Sequence, residues 1–194
     1  YLTDMSTELK RELGFVIPYA DSPYDHENVG EEVYCHILNH AKKYVHIMTP
    51  YLILDREMLD ALCRAAKSGI DVKIIMPHIP DKWYAFAVAK TYYEELIEAG
   101  VKIFEFTPGF VHAKIFVSDD DTATVGTINL DYRSLFLHFE CGTFIYNNPI
   151  VHDVEADFQK TLTQCERVSI ADVKKISPFM FVCGRVLRLI APLM

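Results

Sequence analysis

The spacing of apolar and polar positions changes character several times along the chain. Residues 14–21, GFVIPYAD, read as a strand that ends in a turn at Ser22-Pro23. Residues 28–43 have helical spacing at Val33, Ile37 and Ala41, and residues 44–50 read as a strand stopped by Pro50. A helix capped by Asp55 and stopped by Gly69 follows, then a strand over 71–77, a long helix over 81–100 and a strand over 101–106. Strands alternating with helices across short connections predict parallel strands covered by helices. From 111 to 146 there are three strand-like stretches and no helical pattern, which predicts an antiparallel portion. A helix returns over 149–166. The reading is one α/β domain, a mixed parallel and antiparallel sheet between helical layers.

The segment FVHAKIFVSDDDTATVGTINLDYRS, residues 110–134, interrupts this pattern with polar groups. Side chains alternate faces along a strand. Ala113, Ile115 and Val117 are therefore expected in the core, with His112, Lys114 and Phe116 on the opposite face. SDDD at 118–121 is expected to turn the chain back, and Gly126 to let a substrate approach backbone amides. In LFLHFECGTFIY, residues 135–146, Leu137, Phe139, Cys141 and Ile145 are expected to share one face. His138, Glu140 and Phe144 are expected to share the other.

His112, Lys114, Thr127, Asn129 and Glu140 together hold an imidazole, a fixed cation, two neutral hydrogen-bonding groups and a carboxylate. Transfer of a phosphodiester needs a nucleophile, neutralised non-bridging oxygens and a proton for the leaving alkoxide. Glu140 is expected to accept a hydrogen bond from His112 and fix its tautomer. Lys114 and Asn129 can offset the phosphate charge, so no metal or other cofactor is called for.

HAKIFVSD fits the pattern H-x-K-x-x-x-x-D through His112, Lys114 and Asp119. GTINLDYRS resembles the glycine, hydroxyl and asparagine segment that follows this pattern in the phospholipase D superfamily, with Thr127 where serine is usual. Glu140 stands where that superfamily has an acidic partner for the histidine. From about Gly14 onward, including TPYLILDREMLDALCRAAKSGIDVKIIMP and the tail RLIAPLM, the chain resembles the C-terminal half of a bacterial cardiolipin synthase.

The resemblance implies a phospholipase D-like α/β/α sandwich. It implies phosphatidyl transfer, two phosphatidylglycerols giving cardiolipin through a phosphohistidine. His112, Lys114, Asn129 and Glu140 would be the catalytic residues, with Lys114, Thr127 and Asn129 on the phosphate. Relatives carry two such motifs and this chain has one. The partner is thus expected to be an N-terminal half with a second motif, or a second copy of the chain. By resemblance His112 would be the general acid and then the base, although the residues themselves leave nucleophile and acid undistinguished. Alternatives are a phospholipase D-type hydrolase, a homodimeric nuclease, or a half that only binds anionic headgroups. The implied setting is the cytoplasmic side of a bacterial membrane, anchored by segments upstream. Asp119, at an odd offset from His112 and in a turn, is expected to be structural. Arg133 is expected either to pair with an acid or to steer a headgroup.

The formal charge of −8 argues against a general nucleic-acid partner. Five cysteines, an odd number without C-x-x-C spacing, fit reduced thiols better than a disulfide framework. The start at Tyr1 suggests a piece of a longer chain, read as a lead-in over 1–13, a catalytic domain over 14–178 and an apolar helix over 179–194. That last stretch, broken by Arg185, Arg188 and Pro192, is too short for a membrane span of about 20 apolar residues. It reads either as a helix packed on the domain or as one lying on a membrane surface. His36 and His40 share a helix face without a third metal ligand. Trp83, Tyr84, Phe86, Tyr92 and Tyr93 crowd one helix, as core contacts or as an acyl-chain surface.

Overall fold

In a computed structural model the described residues are 13–193. All but the last residue of the expected lead-in therefore falls outside the description. The central sheet has eight strands. In chain order they are β1 (Phe15–Asp21), β2 (Tyr44–Met48), β4 (Asp71–Pro77), β5 (Lys102–Phe106), β6 (Ile115–Ser118), β7 (Thr122–Gly126), β9 (Glu140–Tyr146) and β10 (Cys165–Arg167). Their spatial order is β1-β9-β7-β6-β2-β4-β5-β10. A two-stranded parallel pair, β3 (Leu52–Ile53) with β8 (Leu130–Asp131), lies apart from it. Strands β2, β4 and β5 run parallel, whereas β6, β7, β9 and β1 form an antiparallel run and β10 pairs antiparallel with β5.

Both faces of this sheet are covered, which makes the molecule an α/β/α sandwich. Helices α1 (Val29–His40), α2 (Arg56–Lys67) and α3 (Trp83–Ala99) pack on one face. Tyr34, Leu59, Leu62, Val88 and Leu96 meet Val45, Ile47 and Ile74 there. Helix α4 (Ile150–Leu162) brings Val151 and Phe158 onto the other face, against Met48, Ile75, Ile115, Val117, Ala123 and Ile145. Burying a side chain such as Phe158 contributes about 1.5–3 kcal/mol.

This two-sided burial corrects one expectation. Phe116, assigned to the face away from the core, is 1% exposed and stacks on Tyr34 at 4.1 Å between ring centroids. The alternation itself holds. Its outer face is a second core beneath α1 to α3.

The helix ends follow the chemistry of their residues. Asp55 caps α2 by accepting from the backbone N–H of Glu57 at 3.1 Å and of Met58 at 2.9 Å. Gly100 ends α3 at φ +106°, a left-handed conformation that costs a side chain little only when there is none.

Three other expectations are corrected. Residues 110–114 are irregular, and β6 begins only at Ile115. Residues Arg133–Leu137 form a π-helical turn, so Leu137 and Phe139 are exposed and share no strand face with Cys141. The end of the helical pattern over 149–166 is instead the start of the short edge strand β10.

Helices α5 (Ile170–Val173) and α6 (Pro178–Arg188) follow. Gly184 of α6 lies so close to α3 that a Cβ would meet the Ala87 carbonyl oxygen at 2.4 Å. The Arg188 guanidinium sits 3.8 Å from the Tyr92 ring centroid. One side of α6 is thus docked on the domain, while Phe179, Val182 and Val186 remain exposed. No described helix is long and apolar enough to cross a membrane. On α3, Tyr92 and Tyr93 are core residues and Trp83 and Tyr84 are exposed.

Candidate active site

The irregular segment before β6 carries His112 and Lys114 past the end of the sheet. His112 is exposed, with its ring 5.7 Å from that of Phe110. Lys114 is only 8% exposed, and its Nζ donates to the His112 carbonyl oxygen at 2.6 Å. This bond fixes the backbone that presents the imidazole. Burial pulls the Lys114 pKa down, while the Glu140 and Asp131 carboxylates oppose that shift.

Strand β7 ends at Gly126, paired with Gly142 of β9. A Cβ on Gly126 would meet the Cys141 carbonyl oxygen at 2.4 Å, so the neighbouring strand by itself requires glycine here. Beyond it the chain leaves the sheet and sets out Thr127 and Asn129. Thr127 Oγ1 donates to Glu140 Oε2 and accepts from Cys141 N at 3.0 Å. Ser134 Oγ donates to Glu140 Oε1 at 2.9 Å, and Asn129 Nδ2 donates to Ser134 Oγ at 2.9 Å. Asn129 Oδ1 is buried and has no partner.

Glu140 therefore does not hold His112, as expected from the sequence. Its two oxygens hold Thr127 and Ser134, and through Ser134 they hold Asn129. Its remaining neighbour is His138, whose Nδ1 lies 3.8 Å from Oε1.

Ser134, Asp131 and His138 were missed as site residues. Asp131 Oδ1 accepts from Ser134 N at 2.8 Å, a local turn that starts the π-helical segment. The spacing of Asp131 and Ser134 in LDYRS is the one sequence signal for it. Burial pushes the Asp131 pKa up, against the Ser134 N–H that lowers it.

His112, Asn129, Ser134, Arg133 and His138 line one cleft of about 500 Å³, opposite Tyr51 and Tyr84. Asp119 lies far from it, at the other end of β6. It has φ +54°, and its carboxylate accepts from the backbone N–H groups of Lys42 at 2.6 Å, Lys43 at 2.9 Å and Tyr44 at 3.0 Å. His36 and His40 stack at 4.0 Å on an exposed stretch of α1. Among the described residues no group of three or more His, Cys, Asp or Glu converges as a metal set.

A mixed sheet between helices, with a histidine and an asparagine lining one cleft past the strand ends and a lysine bonded to the histidine's carbonyl, is the architecture of a phospholipase D-type domain. The chain belongs to the family described as cardiolipin synthase, PLD-like domain, whose model matches residues 34–162. It is 38% identical over its whole length to a cardiolipin synthase of Clostridium perfringens, covering 41% of that protein. It is 57% identical over its whole length to an uncharacterized protein of Streptococcus mutans, covering 42% of it. The chain thus spans about two fifths of the curated relatives it matches.

Among solved structures, a phosphatidylserine synthase of Haemophilus influenzae aligns with TM-score 0.69 at 18% identity. That alignment covers 92% of this chain and 48% of the other. The phospholipase D family member Nuc of Salmonella typhimurium aligns with TM-score 0.68 at 19% identity, over 80% of this chain and 99% of the other. Both likenesses concern the fold.

Proposed function

We propose that this domain supplies one half of a phosphatidyltransferase site that makes cardiolipin and glycerol from two phosphatidylglycerols. The observation that carries the reading is the cleft lined together by exposed His112 and half-buried Asn129, with Lys114 beneath His112. Its support from relatives is the match to cardiolipin synthases.

In this reaction an imidazole nitrogen attacks phosphorus, the bond to the glycerol oxygen breaks and a second imidazole protonates that oxygen. The hydroxyl of a second lipid then attacks the phosphohistidine. The P–N bond breaks, and the hydroxyl proton passes to the second imidazole. His112 is one of the two imidazoles and, by resemblance, the acid and then the base. The other comes from a second H-x-K-x-x-x-x-D half or a second copy of the chain. Lys114 Nζ spends one proton on the His112 carbonyl and has two left for phosphoryl oxygens. Asn129, held by Ser134, lines the cleft where the phosphoryl oxygens would bind. Glu140 and Ser134 are positioning residues for Asn129 and Thr127. The domain works at the cytoplasmic face of a bacterial membrane.

The test offers labelled phosphatidylglycerol in vesicles to the full-length protein and to its His112→Ala variant. Cardiolipin formation is expected to fall about 10²- to 10⁴-fold in the variant, the range for loss of an acid–base group. Equal rates would end this reading. Phosphatidic acid as the sole product would replace transfer with hydrolysis.

A further inference from the structure

The cleft beside His112 is more basic than one phosphodiester requires. Besides His112 its lining includes the fixed cations Lys82 and Arg133 and a second imidazole, His138. Among the described residues no salt bridge involves Lys82 or Arg133. Lys82 instead lies over the Tyr51 ring, 5.3 Å from its centroid. The one carboxylate in the lining, Asp131, is 7% exposed and occupied by the Ser134 N–H. His138 has a half-exposed side chain, and at 3.8 Å from Glu140 it is not tied down by a hydrogen bond. Two fixed cations without an ion-pair partner, Lys82 and Arg133, in one cleft of a chain with net charge −8 mark a place for an anion.

These groups belong to a different element from the residues assigned to the transferred phosphorus. Lys114, Thr127 and Asn129 come from the segments flanking β6 and β7. Arg133 belongs to the π-helical turn and His138 to the residue that closes it. The turn takes Arg133 out of the sheet and leaves its guanidinium a planar fork suited to two phosphate oxygens.

We propose that Arg133 and His138 form a second anion subsite, which receives the phosphodiester that the acceptor lipid already carries. The inference rests on the phosphatidyl-transfer reading and adds to it the basis of acceptor choice. An acceptor phosphatidylglycerol bears its own phosphate a three-carbon glycerol unit away from the attacking hydroxyl, and water or free glycerol bears none. Anchoring that phosphate holds the hydroxyl in line with the phosphohistidine, so positioning favours transfer to lipid over transfer to a neutral alcohol. In the step itself the acceptor oxygen bonds to phosphorus, the P–N bond breaks and the hydroxyl proton goes to the base, which is His112 in the assignment above. Arg133 and His138 exchange no proton in it.

The test uses two acceptors in one sample, so the result does not depend on how much of a variant folds. The full-length protein is given phosphatidylglycerol vesicles with labelled free glycerol. Cardiolipin reports transfer to the phosphate-bearing acceptor, and label entering phosphatidylglycerol reports transfer to the neutral one. Arg133→Gln is expected to lower the ratio of cardiolipin to exchanged label roughly ten- to a hundredfold, the loss expected for one charge-assisted contact, and His138→Gln roughly three- to tenfold, the loss expected for one neutral hydrogen bond. Arg133→Lys is expected to retain most of the ratio. A ratio within about twofold of the unmodified protein in both glutamine variants would overturn the subsite. An unmodified protein that forms neither product would instead overturn the phosphatidyl-transfer reading.

Discussion

At the turn end of the β6–β7 hairpin the polar groups are spoken for. Asp119 Oδ1 accepts from the N–H groups of Lys43 and Tyr44, and Oδ2 accepts from that of Lys42. Asp120 accepts from the Tyr44 hydroxyl. At the other end of the same strands, polar capacity is left over. The described hydrogen bonds include none from the His112 ring, Asn129 Oδ1 is unpartnered, and Lys114 uses one proton of three. Both ends belong to one sequence motif, yet only one is built as an unfinished network. The difference teaches that a motif residue's task is read from whether its hydrogen bonds are already filled. Filled groups stabilise the fold, and a substrate completes the unfilled ones.

After loss of His112 itself, the comparison is broken most severely by removing a charge from the open end. Lys114→Ala is expected to lower turnover about 10²- to 10³-fold, the scale for loss of one preorganised charge-stabilising donor. The pH profile sharpens the point. Burial disfavours the ammonium, so Lys114 loses its proton at a lower pH than the ordinary lysine value of 10.5. Activity that needs the charge therefore falls on an alkaline limb below 10.5. Lys114→Arg, charged throughout, is expected to remove that limb whatever its effect on the maximum.

Smaller effects follow from the scaffold between the two ends. Gly126→Val forces a side chain against the Cys141 carbonyl and is expected to cost about 1–3 kcal/mol in denaturant unfolding. Turnover should fall with it, because Thr127 is the next residue. Asp119→Asn removes the charge from the three-amide contact and is expected to cost about 1–2 kcal/mol. Asparagine tolerates the left-handed φ, so the loss reports the contact and not backbone strain. Thr127→Ser keeps the hydroxyl that Glu140 accepts from and is expected to shift stability by less than about 0.5 kcal/mol. A large loss there would show that the threonine methyl matters to the site.

Much of the parallel half was legible because its signals are local. Asp55, Gly69 and Gly100 punctuate helices whose apolar spacing repeats every three or four residues. The antiparallel half was less so. Alternation shows that Phe116 and Val117 point opposite ways, but not that both directions lead into a core once α4 covers the second face. LFLHFE alternates like a strand, and the turn over Arg133–Leu137 depends on Asp131 reaching Ser134, a bond that outweighs the weak strand preference. In the site, the sequence pattern singled out His112 and Asn129, which line one cleft, and Lys114, which is bonded to the His112 carbonyl below it. The partner of Glu140 was not legible. It is fixed by where β9 places the carboxylate against Thr127 and Ser134, a tertiary fact without a local signature.

The most direct test sets the two ends against each other in the full-length protein, measuring unfolding and cardiolipin synthesis per folded molecule for His112→Ala and Asp119→Asn. The account predicts that His112→Ala unfolds within about 0.5 kcal/mol of the unmodified protein and loses synthesis, as expected for an exposed chemical group. Asp119→Asn should unfold more easily and yet synthesise at an undiminished rate while folded. The reverse pattern, with folded Asp119→Asn inactive and His112→Ala active, would contradict the division between a filled structural end and an open chemical one.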